Sequence, residues 1–474
     1  MADLSGKSVP VTGAISRIDE VTSLAPLAPE GEVALNGRDK DTGQAVVDQI
    51  PTSGTAGLRG SARSRYGVGF WLAAAAFLTA MAFSTIPTPL YVLYQDRDHF
   101  SSFVVTVVFA VYAVGVIASL LVAGHISDWV GRRRVLIPAL GIEIIAAVLF
   151  LVWPALPGLI VARVVSGFGI GMITATATAY LRDLHAKSRP NAGPGRFEVV
   201  STAANIGGLG VGTLAAGALA QFVPSPLYVP YAVFAVLMAF SIVGLVLAPE
   251  TVQPPAVRPR YHLQGISISG DKASYVMATA GAFVGFAVFG LFTSLAPSFV
   301  AVTLHHPSHL LAGVVAFITF GAAALAQTAT GPLGTRTQML LGIGAEAAGL
   351  VVVASGMETP NLAAFLIGGG LAGAGAGVLF KSALASLLGS TEPAKRGEAA
   401  AGLFLVAYIG LAIPVLGIGV ATLYVSAQTA MLFFNGALLV ILAVIAALAV
   451  RAPRAPHSRD PARVGDNERT ETLP

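Results

Sequence analysis

Twelve apolar runs, each near the ~20 residues that carry an α-helix across a bilayer, constrain this 474-residue chain more than any other feature. They lie at about 69–92, 103–123, 135–153, 157–180, 198–222, 227–247, 275–297, 309–328, 338–356, 361–387, 398–424 and 427–450. In hydrocarbon a segment must satisfy its own peptide groups, which a helix does. The expected fold is therefore an all-α integral membrane protein with twelve transmembrane helices. Composition agrees. Only 11% of residues are charged and 55% are hydrophobic, with mean hydropathy +0.76, whereas soluble chains carry roughly 25% charged residues. The longest internal polar interruption, Glu250–Ser274, splits the runs six and six. The expected organisation is a disordered cytoplasmic tail (1–65), a six-helix half (66–249), a cytoplasmic linker (250–274), a second six-helix half (275–450) and a second disordered tail (451–474).

Charge sets the orientation. Of the 28 Lys and Arg residues, only Arg97 falls in a loop after an odd-numbered run, and only Arg163 and Lys381 fall inside runs. The remainder cluster in the tails and beside the loops after even-numbered runs, so both termini are expected in the cytoplasm. Basic residues in short blocks between apolar runs do not form a nucleic-acid face, despite a net charge of +4. The absence of cysteine excludes disulfides, thiolate metal sites and a cysteine nucleophile. Abundant Ala and an excess of Arg over Lys point to a GC-rich bacterial source, and hence to an inner-membrane location.

The halves repeat. "GRRRVLIPALGIE" (Gly131–Glu143) aligns without a gap on "GTRTQMLLGIGAE" (Gly334–Glu346). "GRFE" opens the fifth run and "KRGE" the eleventh; "STIP" (Ser84–Pro87) closes the first and "SLAP" (Ser294–Pro297) the seventh. Repeated halves are typical of secondary transporters, which bind substrate between them near the midplane.

Between the second and third runs lies "GHISDWVGRRRVL" (Gly124–Leu136). Gly124 and Asp128 share a helix face. Gly124 permits another helix to approach, and Asp128 can aim its carboxylate at a neighbouring helix start. Gly131 permits a tight reversal, while Arg132, Arg133 and Arg134 anchor the loop at the cytoplasmic leaflet. A solvated anchor loop would explain the arginines but not the glycine–acid–glycine spacing. The stretch resembles the signature loop of the major facilitator superfamily, G-x-x-x-D-x-x-G-R-R/K, and the resemblance extends over about 69–450. It implies a rocking transporter whose cavity opens to one side at a time. It further implies that Asp128 contacts the start of helix 11, near Arg396 and Glu398, when the cavity faces outward. The second copy, "QTATGPLGTRT" (Gln327–Thr337), has Thr330 and Gly331 in place of an acid, so this lock is expected to be one-sided.

Of the 24 acids only Glu143 and Glu346 lie deep inside runs. Glu143 stands nine residues from Arg134, roughly 13 Å into a ~30 Å core at about 1.5 Å per residue. An ionised carboxylate there costs about 2.5–3.5 kcal/mol or more. Two readings stand: a proton carrier or cavity group, or a protonated Glu bonded to a neighbouring helix. Arg163 sits in "RVVSGFGIG" (Arg163–Gly171), which resembles the helix-4 signature R-x-x-x-G-x-G of proton-linked efflux members. It either tunes a carboxylic acid or binds an anion, or it snorkels to the outer headgroups. Lys381 is expected to snorkel. Thr174, Thr178 and Asn205 are candidate cavity groups, with bonding back to helix carbonyls as the alternative for the threonines. Two departures stand against a multidrug antiporter: the first run holds no acid, and in "GLGVGTLAAG" (Gly208–Gly217) Thr213 stands where the antiporter signature has proline.

A membrane enzyme or sensor would need a catalytic constellation or a soluble domain, and neither is found. The "HHPSH" loop (His305–His309) reads as a wet outer loop rather than a metal site. The expected function is secondary active transport of a small organic solute by alternating access, as proton-coupled efflux; proton-coupled uptake is the alternative. The apolar setting suits a neutral or lipophilic solute. Lipid, a small-molecule substrate and protons are the expected partners, with no cofactor, no metal and no nucleic acid, and the chain is expected to act as a monomer.

The charge pattern predicts that the loops near Asp96, His306 and Glu358 lie outside and those near Asp183, Asp271 and Lys395 inside. An impermeant thiol reagent should leave an Asp271→Cys variant unlabelled in intact cells; labelling there would reverse the orientation.

Overall fold

The computed structural model describes residues 52–253, 255, 260–265, 272–392 and 395–451. The expectations for tail residues 1–51 and 452–474, and for linker residues 254, 256–259 and 266–271, lie outside that set. The chain divides into two units, Met1–Ser64 and Arg65–Pro474. In the first, residues 52–64 are helical, where composition placed the end of a disordered tail. Ala56, Leu58, Arg59, Ala62 and Arg63 are strong helix formers, and no proline interrupts them.

Among the described residues twelve helices are long and apolar enough to cross a bilayer: α1 (Arg63–Asp98), α2 (Ser102–Ala123), α3 (Arg132–Val152), α4 (Leu156–Ser188), α5 (Gly195–Phe222), α6 (Val229–Leu247), α7 (Ser274–Ser294), α8 (His309–Ala329), α9 (Thr335–Glu358), α10 (Leu362–Ser390), α11 (Arg396–Ala421) and α12 (Ala427–Arg451). The packing repeats. The pairs α2–α4, α3–α4 and α3–α6 of the first half have counterparts α8–α10, α9–α10 and α9–α12 in the second. The two halves meet where α2 packs on α11 and α5 on α8.

Three local irregularities position the centre. "STIP" does not end its helix as expected but breaks it, whereas α7 does end at "SLAP", at Ser294. After Ser84–Pro87 the chain resumes as Pro87–Asp98, and after Ser294–Pro297 it continues through Ala296–Ser298 into a π-turn, Phe299–Thr303. Proline supplies no N–H, and the bonding around it tightens: Ile86 donates to Phe83 and Thr88 to Thr85. The Ser84 carbonyl is thereby left for a side chain. In α5, residues Ala203–Gly207 form a π-turn, a local widening that recurs at functional sites.

One face of the bundle is closed across the halves. Gln95 at the end of α1 accepts from Ser298 Oγ (2.5 Å). Gln221 at the end of α5 accepts from His309 N (3.0 Å) and Ser308 Oγ (3.3 Å). Close backbone approach makes this seal possible. A Cβ on Gly217 would stand 2.7 Å from the His309 carbonyl, and one on Gly313 would overlap the Thr213 carbonyl. At the opposite face, which carries Gly124–Arg134 and is called the motif face below, residues Tyr261–Gly265 of the linker lie between α2 and α11. Gln264 N donates to Leu121 O (2.8 Å), Tyr261 Oη to Val122 O (3.1 Å), and Gly265 lies against Glu398.

Gly313→Val should therefore prise apart the sealed face. Overpacking costs about 1–3 kcal/mol, enough to shift a balanced two-state carrier roughly tenfold. A cysteine introduced at Thr213 should gain thiol-reagent accessibility in this variant; unchanged accessibility and flux would show that α5 and α8 have room to spare.

Candidate functional site

The turn between α2 and α3 is a knot of charge. Gly131 has φ +119°, a conformation that favours glycine. The turn delivers two unsatisfied peptide N–H groups at the α3 start to the carboxylate of Glu250, which follows α6. Arg132 N donates to Oε1 (3.0 Å) and Arg133 N to Oε2 (3.1 Å). An acid at a helix N-terminus is worth about 0.3–1 kcal/mol exposed and up to ~2 partly buried. Arg133 donates its guanidinium to the α6-end carbonyls of Val246 (3.0 Å) and Ala248 (2.9 Å). Arg132 pairs with Asp128 (2.5 Å) and Asp183 (3.4 Å) and donates to Ser127 Oγ (2.8 Å).

Glu250, not Asp128, thus takes the N–H groups at the α3 start. The Asp128 side chain remains 63% exposed. It lines a cavity of about 530 Å³ on the motif face, together with Gly124, His125, His262, Gln264 and Glu398. Asp128 and Glu398 share this space, but among the described residues no bond joins Asp128 to the α11 start. Arg396 Nε donates instead to Thr391 O (3.4 Å). What approaches Gly124 is not a helix but the side chain of Gln264. His262 stacks on His125, with centroids 4.6 Å apart. Burial and the neighbouring His262 push His125 below the usual histidine range. In the second half, Gln338 Nε2 donates to Thr330 O (2.8 Å) and Lys381 Nζ to Gln327 O (2.8 Å). There a neutral amide donates to a carbonyl just past α8, where the first half has carboxylates accepting, and Lys381 ties α10 to the end of α8 rather than snorkelling.

Deeper, between the halves, lies a central cavity of about 90 Å³. It shares Thr174, Phe404 and Tyr408 with the larger one. Eight aromatic rings line it: Phe109 and Tyr112 of α2, Phe286 and Phe289 of α7, Phe320 of α8, Phe380 of α10, and Phe404 and Tyr408 of α11. Arg163 lines it too and is only 3% exposed, so the headgroup-snorkelling reading fails. Its Nη1 donates to the Ser84 carbonyl freed at the α1 break (2.8 Å), and its guanidinium lies 4.4 Å from the Tyr112 ring centroid. Its Nε is buried without a partner. A desolvated cation–π contact returns about 2 kcal/mol, less than the several kcal/mol that burying an ion costs.

The remaining candidates separate. Asn205, in the α5 π-turn, and Thr174 line the central cavity; Thr178 lies outside its lining. Both threonines donate back to helix carbonyls, Thr174 to Ile170 (2.9 Å) and Thr178 to Thr174 (3.0 Å). Glu143 and Glu346 are fully buried but line neither cavity. Glu143 Oε2 accepts from Ser166 Oγ (2.9 Å), one turn of α4 from Arg163, and its Oε1 has no partner. Gly375 lies against the backbone and Cβ of Glu346, and Gly169 against the carboxyl group of Glu143. Three residues before Gly375 the chain has Ala372 where the first half has Ser166, and both Glu346 oxygens are unpartnered.

Sequence reasoning missed Glu250, Asp183 and the aromatic lining. An acid directly after the sixth run, in "APET" (Ala248–Thr251), was the available signal for Glu250. Phe404, Tyr408 and Leu411 recur at helical spacing, but so do residues that face lipid.

The chain matches the family model described as Major Facilitator Superfamily over residues 72–333, more than half its length. A curated relative, D-xylose-proton symporter-like 1 of Arabidopsis thaliana, is 27% identical over 180 residues, 34% of this chain and 35% of that protein, so the match spans about a third of the relative. Solved structures share the fold. The POT family transporter PepTSo aligns at TM-score 0.64 and 12% identity, covering 82% of this chain and 98% of that one. The nucleoside transporter NupG aligns at 0.60 and 14%, covering 81% and 100%. The human organic anion transporter MFSD10 aligns at 0.59 and 16%, covering 81% and 99%. With its signature turn, repeated halves and twelve helices, this chain belongs to the Major Facilitator Superfamily.

Proposed function

We propose that the protein moves a small organic solute across the membrane by alternating access, with protons as the coupling ion. The observation that carries this reading is the asymmetry of the two faces: a central cavity between the halves continues into open space at the motif face and is sealed at the other. The charge pattern makes the motif face cytoplasmic. Closing it would bring Gly124, Asp128 and Gly131 of one half toward Arg396 and Glu398 of the other, with Arg132, Arg133 and Glu250 holding the turn rigid. Closure also requires the Tyr261–Gly265 segment to leave the space between α2 and α11.

Glu143 is the proposed proton carrier, because Ser166 connects it to the α4 turn that bears Arg163. Glu346, with no polar partner, is its structural counterpart. Efflux is the proposed direction, supported by the apolar aromatic lining and the helix-4 signature. Uptake is favoured by one observation, the match to a protein named as a proton symporter.

Solute flux in proteoliposomes under pH gradients of either sign tests both. A gradient acid on the side receiving the solute should drive uphill flux if solute and proton exchange; a gradient acid on the side supplying it should do so if they travel together. Glu143→Gln should abolish uphill flux while preserving solute exchange. Uphill flux by this variant, or no gradient dependence in the wild type, would remove protons or Glu143 from the mechanism.

A further inference from the structure

The central cavity is lined by one cation, Arg163, and by no acid; Glu143 lies within electrostatic reach of Arg163 but outside the lining. Arg163 is 3% exposed, and among the described residues no acid pairs with it. Nor does any carboxylate line the cavity. The nearest acid along the fold, Glu143, turns Oε2 to Ser166 behind the lining. Three groups of the protein satisfy the guanidinium in part: the Ser84 carbonyl on Nη1 and the faces of Tyr112 and Phe109. Nε remains a buried donor without an acceptor. A guanidinium presents its N–H donors in a planar fork that matches a carboxylate, and a fork with an idle donor beside a cavity points to an anion.

From this, and on the reading that this cavity is the substrate site, we infer that the substrate is a small organic monoanion with an aromatic or otherwise flat apolar body. The anionic group sits on Arg163 and the body lies among the rings of α2, α7 and α11. Four of the lining hydroxyls are already committed to the protein. Ser84, Thr85, Thr174 and Thr293 already donate to the carbonyls of Met81, Leu209, Ile170 and Phe289. A cation would meet Arg163 directly. A single guanidinium suits one negative charge rather than two. The mouth carries Asp128 and Glu398 as well, but Asp128 is paired with Arg132, so charge selection falls to Arg163.

The test uses the full-length protein in nanodiscs and three probes of one shape: 1-naphthoate, 1-naphthamide and 1-naphthylmethylammonium. Calorimetric titration should show naphthoate binding at least tenfold more tightly than naphthamide, with the ammonium weakest. Arg163→Gln should reduce naphthoate to the level of the amide without weakening the amide; Arg163→Lys should keep the anion preference. Should Arg163→Gln fail to fold, the wild-type series alone decides. Equal binding of acid and amide, binding of none of the three, or an undiminished preference in Arg163→Gln would overturn the inference. If naphthoate binds selectively but does not move in proteoliposomes, the transport reading fails and the anion site stands.

Discussion

Hydrocarbon offers no hydrogen-bond partner, so each polar group inside the membrane must find one within the protein or remain costly. Much of this architecture follows from how that demand is met. The twelve helices satisfy their own peptide groups. Where a helix is broken, the freed carbonyl is put to use: Ser84 O accepts from Arg163. Where a helix begins at the motif face, Glu250 takes its first N–H groups. Ten buried side-chain atoms among the described residues escape the rule, and the charged residues among them are informative. Arg163 Nε, Glu143 Oε1 and both Glu346 oxygens are buried without partners, two of the three residues lie on α3 and α4, and one of them lines the central cavity.

The same demand accounts for the bonding of the motif turn. Within the first half, Arg132 and Arg133 bind α3 to α4 and α6 through charge-assisted bonds, about twice as strong as neutral ones. Across the halves at the motif face, the described contacts run through the linker instead. At the other face, backbone carbonyls meet glycines directly. The first half is thus tied together at the motif turn, and it meets the second where α2 packs on α11 and α5 on α8.

Much of this was legible in the sequence. Apolar length located the twelve helices, and the Gly124–Arg134 spacing located the turn. The resemblance that it carries named the family. The sequence left the fate of Arg163 open because depth alone does not distinguish a headgroup from a cavity, and the break at Ser84–Pro87 that receives its guanidinium looked like a helix end. Glu250 stayed hidden because its partners are peptide groups 118 and 117 residues away. The aromatic lining stayed hidden for a different reason. In a membrane protein, apolar residues face lipid and cavity alike, so periodicity does not reveal which face is inside.

The central claim is that this conformation is one of two, and that Asp128 helps to close the motif face in the other. Spin labels at Arg189 and Ser390, exposed positions at the motif-face ends of α4 and α10, would report the gap by double electron–electron resonance. The account predicts two distance populations in the wild type. In Asp128→Asn the shorter one should fall about tenfold, the effect of losing about 1.4 kcal/mol from the closed state. A single distance under all substrate and pH conditions, or a shorter population untouched by Asp128→Asn, would contradict it.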